Sequence, residues 1–392
     1  MIYKFGDICL KDGFVRGPFG SALKKDLFVE KGADTYKVYE QCVPLEQDKN
    51  KGRYYISGEY FRKSLKRFEV QNNDFLVSCS GVNYGAIYHL QEPFEKGVIN
   101  QALLIIRINP ELVDYDYFYY LFSFVLRKAI VSGTGDSTIP NFPPTSVIKN
   151  IEVDIPELKE QKRIGRILKS LDTPVKRNNE MVQKLQVLSH TIFNRFFASE
   201  ASLVPLVEFP YIRILKPGIQ KFEGTKHYIA TAEVESEKIN YDAPLIEYAT
   251  RENRANMQPI PNSIWFAKMK RSIKHIYVTS NDNHLIGNYV FSTGFCGIKC
   301  DDIAFEYMVN YLNLPYFEKE KDILSHGATM EGVNNEDLKS FKIHLPAKET
   351  LLLFSNTTRN IHYEIAKINK MTHQLALFKN RLLPLLISGQ LQ

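Results

Sequence analysis

The residues best suited to chemistry are cations interleaved with aromatic and amide side chains. Residues 51–67 contain six Lys or Arg, one acidic residue and four aromatics, and residues 268–274 contain four cations and no anion. Arg251-Glu-Asn-Arg-Ala-Asn256 lies just upstream of the second cluster. Such stretches neutralise phosphates, while Arg, Asn and Gln reach the edges of bases. Two polar loops, Ser132-Gly-Thr-Gly-Asp-Ser-Thr-Ile-Pro-Asn141 and Ser325-His-Gly-Ala-Thr-Met-Glu-Gly-Val-Asn334, offer hydroxyl and amide hydrogen bonds without charge where the backbone can approach a ligand closely. Together these features point to nucleic acid.

Two other groupings could suggest catalysis. Asp154 with Glu157-Leu-Lys159 has the acidic-x-Lys form of a metal-dependent nuclease, in which carboxylates hold Mg²⁺ and the lysine steadies developing charge. Such a tripeptide is expected by chance in a chain with 24% charged residues, and a solvated helix start is the better reading. Cys296-Gly-Ile-Lys-Cys300, with His275 and His284 nearby, raises the question of zinc, but there is no second cysteine pair and the spacing fits poorly. Buried thiols packed at a strand edge are expected instead. No phosphate-binding Gly-x-x-x-x-Gly-Lys loop, Gly-x-Gly-x-x-Gly turn, nucleophile elbow or His-Glu-x-x-His occurs. Pro140-Asn-Phe-Pro-Pro144 has the wrong order for an amino-methyltransferase signature.

The elements that must position these residues come from an internal repeat. Shifted by 190 residues, Lys149-Asn-Ile-Glu-Val-Asp-Ile-Pro156 falls on Lys339-Ser-Phe-Lys-Ile-His-Leu-Pro346, a short alternating strand closed by proline in both copies. The same shift carries into a heptad. Ile164, Leu168, Leu171, Val175, Asn178, Val182, Leu185, Ser189, Ile192 and Phe196 match Phe354, Thr358, Ile361, Ile365, Ile368, Thr372, Leu375, Lys379, Leu382 and Leu386. A sustained 3-4 spacing predicts helices that pair along a narrow seam. The polar seam residues Asn178, Ser189, Thr358, Thr372 and Lys379 are candidates for setting register. Pro174 is expected to split the first helix into a short segment over 161–171 and a longer one capped by Asp172 or Thr173, about 35 Å long. Pro384 is expected to end or kink the second helix near Leu383, with Gly389 as its stop.

Each helix follows about 150 residues rich in aromatic and β-branched types. Strands are expected over 75–78, 102–108, 264–267 and 289–292, and helices over 115–130 and 304–312. The fold class is therefore α+β: two mixed α/β domains separated by two long helices that pair along a narrow seam, with a pseudo-twofold internal repeat. The expected divisions are 1–155, 156–200, 201–345 and 346–392.

Composition agrees with a globular chain of more than one domain: 392 residues, 44% apolar, 12% aromatic, and a net charge of +6 from 50 Lys+Arg against 44 Asp+Glu. The mild basicity permits a nucleic-acid partner without demanding one. Five scattered cysteines, an opening without an apolar signal segment and no stretch of roughly 20 apolar residues suggest a reduced, cytoplasmic setting with no membrane.

Over essentially its whole length the chain resembles the specificity subunits of type I restriction-modification systems. The resemblance rests on Gly17-Pro-Phe-Gly-Ser-Ala-Leu-Lys24, on Gly133-Thr-Gly with Ile139-Pro-Asn141, on Ile155-Pro-Glu-Leu-Lys-Glu-Gln-Lys-Arg-Ile164 running into Ile167-Leu-Lys-Ser-Leu-Asp172, and on Leu382-Leu-Pro-Leu-Leu-Ile-Ser-Gly-Gln390. The second copy departs from the pattern at Lys348-Glu-Thr-Leu351, which replaces the Glu160-Gln161 turn. The resemblance implies a non-catalytic DNA-reading subunit of a bacterial defence system. Two target recognition domains, 1–155 and 201–345, each read half of a split double-stranded DNA site. The central helix (156–200) and the C-terminal helix (346–392) are implied to pair as an antiparallel coiled coil, space the half-sites and dock two methyltransferase subunits. Those partners and a restriction/translocase subunit bind S-adenosylmethionine, ATP and Mg²⁺; the chain itself is expected to hold no cofactor or metal.

On this reading the DNA contacts are Arg16, Lys24, Lys25, Thr138 and Asn141 in the first domain, and Arg254, Asn256, Lys268, Lys270, Arg271 and Asn334 in the second. Helix pairing and partner docking fall to Ile164, Leu168, Leu171, Val182, Leu185, Ile192, Ile361, Ile365, Ile368, Leu375 and Leu382. The competing readings are a fused nuclease or methyltransferase specificity chain, and a coiled-coil adaptor without DNA binding.

Overall fold

The computed structural model describes residues 1–81, 84–133, 142–197, 203–327 and 331–390. They form two compact units, Met1–Thr173 with Ala376–Gln392, and Pro174–Leu375.

In the first unit the strand Leu103–Ile108 is apolar at nearly every position because both its faces are covered. Leu104, Ile106 and Ile108 pack with the helix Tyr115–Gly133, while Leu103 and Ile105 pack with Tyr39 and Ile99 of a second sheet. The result is a helix layer on a sheet on a second sheet. The first sheet has the order Cys9–Arg16, Leu103–Ile108, Phe75–Ser78, Ile87–His89, all antiparallel. The second has the order Phe28–Val29, Tyr55–Ser57, Thr35–Tyr39, Gly97–Ile99, with its last pair parallel.

The second unit repeats the plan. Its first sheet runs Ile212–Ile214, Phe295–Cys300, Ser263–Ala267, His275–Val278, and its second runs Leu245–Glu247, Thr225–Ile229, Tyr289–Ser292, Ala255–Met257, with the middle pair parallel. Here too the sheet residues divide by parity: Ile264, Phe266 and Cys296 join the core containing the helix Phe305–Leu312, and Trp265, Ala267 and Phe295 join the opposite core. Cys296 and Cys300 thus lie on an interior strand and face the helix layer, rather than packing at a strand edge as expected. Burial pushes the Cys296 thiol up to about 12.

The repeated strands Glu152–Asp154 and Lys342–His344 close their units by pairing antiparallel with Ile2–Lys4 and Leu203–Pro205. Each leads into a long helix, Leu158–Phe197 and Lys348–Ile387. The expected break at Pro174 does not occur: the helix continues through it, as the second continues through Pro384. A proline removes one N–H bond, and here the freed carbonyl belongs to Ser170 on an exposed part of the helix, so water can take the missing bond. Gly389 is the stop, in the left-handed region at φ 72°, with its N–H on Leu386 O and that of Gln390 on Leu385 O, a Schellman motif.

Within each unit the two helices run antiparallel. In the second, Asn178 Nδ2 donates to Thr372 Oγ1 at 3.0 Å and Ser189 Oγ lies 3.0 Å from His362 Nε2. In the first, Lys379 Nζ meets Asp172 Oδ1 at 2.6 Å, and Ile164 and Leu168 share a core with Leu382, Leu383, Leu386 and Ile387. Thr358 donates to Phe354 O of its own helix, as Thr372 does to Ile368 O. Gly165 is where the first helix meets Tyr115–Gly133; a Cβ there would lie 2.8 Å from Tyr117 N.

Candidate nucleic-acid interface

Among the described residues, Arg16 lies at a strand end in the first unit, and Arg254 and Lys268 lie at strand ends in the second. In the first unit, Arg16 ends the strand Cys9–Arg16, and Gly17 N donates to Leu103 O at 3.0 Å. A Cβ on Gly17 would fall 1.8 Å from Asn100 O, so the chain can pass this turn only as glycine. Cys79 N donates to Ala102 O, Asn100 N to Tyr39 O, and Gln41 Nε2 to Ser78 Oγ at 2.8 Å. These bonds draw Arg16, Gln41, Ser78–Ser80 and Asn100–Ala102 into one place. The Cys79 thiol is pushed up to about 12 by burial, with the neighbouring Arg16 opposing the shift.

Lys24 and Lys25 project from the short turn Lys25–Leu27, anchored by the buried Leu23. Between them and Arg16 stands Phe19, 89% exposed. An aromatic ring left in water among cations is a means of stacking on or wedging between bases. It lies inside the Gly-Pro-Phe-Gly motif, yet charge-based selection passes over it. Thr138 and Asn141 lie outside the described residues.

The candidates in the second unit include more cations. Lys268 N donates to Gly294 O, Thr293 N to Arg254 O at 2.8 Å, and Val333 N to Lys268 O, so Arg254, Lys268 and the 331–334 segment converge. Arg254 is exposed, whereas Asn256, Lys268 and Lys270 are half-buried. Lys270 pairs with Glu331 at 2.5 Å and is partly neutralised. Arg271 is exposed with φ 57°, and its N–H donates to Asp322 Oδ1 at 2.9 Å. Asn334 is spent on turn chemistry: its Oδ1 accepts from Glu336 N and Asp337 N. Met269 and Ile273 add exposed apolar surface at 41% and 58%.

The 51–67 cluster is partly consumed. Lys51 pairs with Glu46 at 2.8 Å, and Arg62 meets Asp34 at 2.9 Å, holding that carboxyl below its usual range. Lys63, Lys66 and Arg67 stay exposed. Of the pairing candidates, Ile164 and Leu168 are buried, and Leu171, Val182, Leu185, Ile192, Ile361, Ile365, Ile368, Leu375 and Leu382 are half-buried. Among the described residues no group of three or more His, Cys, Asp or Glu is arranged to hold a metal ion. No helix among them is long and apolar enough to cross a membrane.

Residues 26–187 match the family model of the type I restriction modification DNA specificity domain. The chain is 22% identical over 382 residues, covering 86% of both chains, to the type I restriction enzyme MjaVIII specificity subunit of Methanocaldococcus jannaschii. It is 20% identical to the putative type I restriction enzyme MjaX specificity subunit of the same organism, covering 74% of this chain and 71% of that one. Its fold is similar to the crystal structure of the type I restriction-modification system S subunit from M. genitalium, at TM-score 0.56 and 15% identity, covering 98% of this chain and 95% of that one. These likenesses do not favour a fused nuclease or methyltransferase, or an adaptor without DNA binding. Fold, duplication and sequence likeness agree: residues 26–187 match the type I restriction modification DNA specificity domain, and most of the chain is similar to type I specificity subunits.

Proposed function

We propose that the chain is a specificity subunit that directs its complex to a split duplex site, each unit reading one half through the sheet end described above. One observation carries the reading. Cations stand at strand ends or turns in both units, Arg16, Lys24 and Lys25 in one and Arg254, Lys268, Lys270 and Arg271 in the other, which supports a matching role for each. Cations there bind phosphates, and an exposed Arg reaches base edges.

The paired helices are the docking platform for two methyltransferase subunits. Support comes from apolar side chains that the pairing leaves in water: Val187 (67%) and Leu188 (48%) on the first helix, Leu353 (59%) and Phe378 (56%) on the second. In this reading the chain works in the cytoplasm and catalyses nothing. S-adenosylmethionine, ATP and Mg²⁺ belong to the methyltransferase and restriction/translocase partners.

Mapping methylated adenines in cells that carry this chain with its partner subunits tests the proposal. Arg271→Ala should relax one half of the methylated motif and leave the other intact, and Arg16→Ala should do the converse. Equal change in both halves from either variant would refute the division of labour. Retention of S-adenosylmethionine by the isolated chain would refute the non-catalytic role.

A further inference from the structure

The turn that carries Lys270 and Arg271 is gripped from behind by the helix Pro315–Leu324. Asp322 Oδ1 accepts the N–H of Arg271, whose backbone sits in the left-handed region that a non-glycine residue adopts only when its surroundings hold it there. One residue earlier in the same helix, Lys321 is fully buried, and its Nζ donates to Ser272 O at 2.8 Å. The Lys321 charge is met by Glu318 at 2.6 Å, and Glu318 in turn lies 3.2 Å from His275 Nε2. Burial opposes ionisation of Glu318, yet the bonds from His275 and Lys321 hold its carboxyl below the usual range.

The chain of polar contacts continues. Tyr277 OH lies 3.2 Å from His275 Nδ1 and donates to Glu237 Oε1 at 3.4 Å, and Glu237 Oε2 accepts from Gln186 Nε2 on the first long helix. All these residues belong to the second unit. A buried ion pair is weak evidence of stabilisation, since apolar side chains of similar volume often serve as well. What an apolar pair could not do is hand a hydrogen bond to the carbonyl of Ser272.

We infer that Lys321, Glu318 and Asp322 are positioning residues that set the pose of the Lys270–Arg271 turn, and so determine which bases the second unit accepts. The inference rests on the proposed DNA-reading role of that turn. The clamp acts on the backbone at consecutive residues, 271 and 272, so it orients the turn without touching DNA itself. Its route to Gln186 also ties the turn to the helix on which the partner subunits are proposed to dock.

The test compares methylation motifs in cells expressing the whole complex. The double variant Lys321→Met/Glu318→Gln removes both buried charges and the bond to Ser272 while keeping the volume. It should lower discrimination at one or more positions of a single half-site by roughly tenfold, the scale of one lost base contact, with the other half unchanged. Asp322→Leu, which removes the acceptor for the Arg271 N–H, should act on the same half-site, and Asp322→Asn, which keeps an acceptor oxygen, should restore the preference. Where the double variant fails to assemble, the Asp322 pair decides alone. If Arg271→Ala alters one half-site but neither the double variant nor Asp322→Leu does, the clamp is refuted. If Arg271→Ala also leaves the motif unchanged, the DNA-reading role of the turn fails instead.

Discussion

The two long helices begin 190 residues apart and have the same length, 40 residues each, but opposite chemistry seats them. At the start of the first, the buried Gln161 accepts from Asp114 N at 2.9 Å and donates to Leu112 O and Pro156 O. Its counterpart in the second, Leu351, is buried in an apolar core. Further along, the first unit fastens its helices with an ion pair, Asp172–Lys379, to which Tyr120 OH adds a bond at 2.7 Å. The corresponding point of the second unit is uncharged: Ser189 lies between His362 and Asn310. Duplication has preserved the path of the backbone and let the side chains diverge, because packing constrains the apolar stripe and few other positions.

The largest expected contrast is at positions 168 and 358, both fully buried. Leu168→Ala should destabilise the first unit by about 2–5 kcal/mol through loss of apolar contact and the cavity left behind. Thr358→Val should change the second by about 1 kcal/mol or less, since the hydroxyl serves only its own helix. Urea melts of the assembled subunit measure both, and equal losses would show that the two seams are packed alike.

Next comes pH. Burial holds the His362 imidazole down to about 4, and it likewise lowers His89 in the first unit to about 4. An unfolded histidine takes up its proton near 6.5, so the folded state is penalised as pH falls from about 6.5 toward 4, and the stability is fully present above that window. For the deeply buried His362 the loss is on the order of 3 kcal/mol. His362→Gln should flatten the acid limb of the second unit's melting curve and leave the first unit's unchanged. A parallel change in both would remove the assignment to His362.

The smallest effect concerns the helix starts. Gln161→Leu copies the second unit's solution into the first and strands one N–H and two carbonyls, at a cost of about 1–3 kcal/mol. Thermal melting reads it; a neutral outcome would mean that water or a shifted loop supplies the missing bonds.

Much of this organisation is visible in the residues themselves. Alternation ending at proline marks the strands Glu152–Asp154 and Lys342–His344, and the 3-4 spacing marks both helices, because periodicity records which face is covered. The expected strand over 75–78 and that over 289–292 match the observed ones, and the mixed α/β class with two long helices holds. The polar partners in the seam were less legible. Lys379 stands out as a charge in an apolar stripe, but Asp172, expected as a cap, becomes its partner only once the helices are antiparallel and in register. The 51–67 cluster misleads for a related reason: Asp34, which occupies Arg62, is distant in sequence and adjacent only in the folded sheet.

The sequence by itself determined the duplication and the helix seam, since repeats and heptads are local patterns. Only the tertiary structure decided which cations remain available, which are spent on carboxylates, and that a buried Lys321 and Glu318 stand behind the turn of Arg271. Those assignments depend on distances between residues far apart in the chain, and only packing sets such distances.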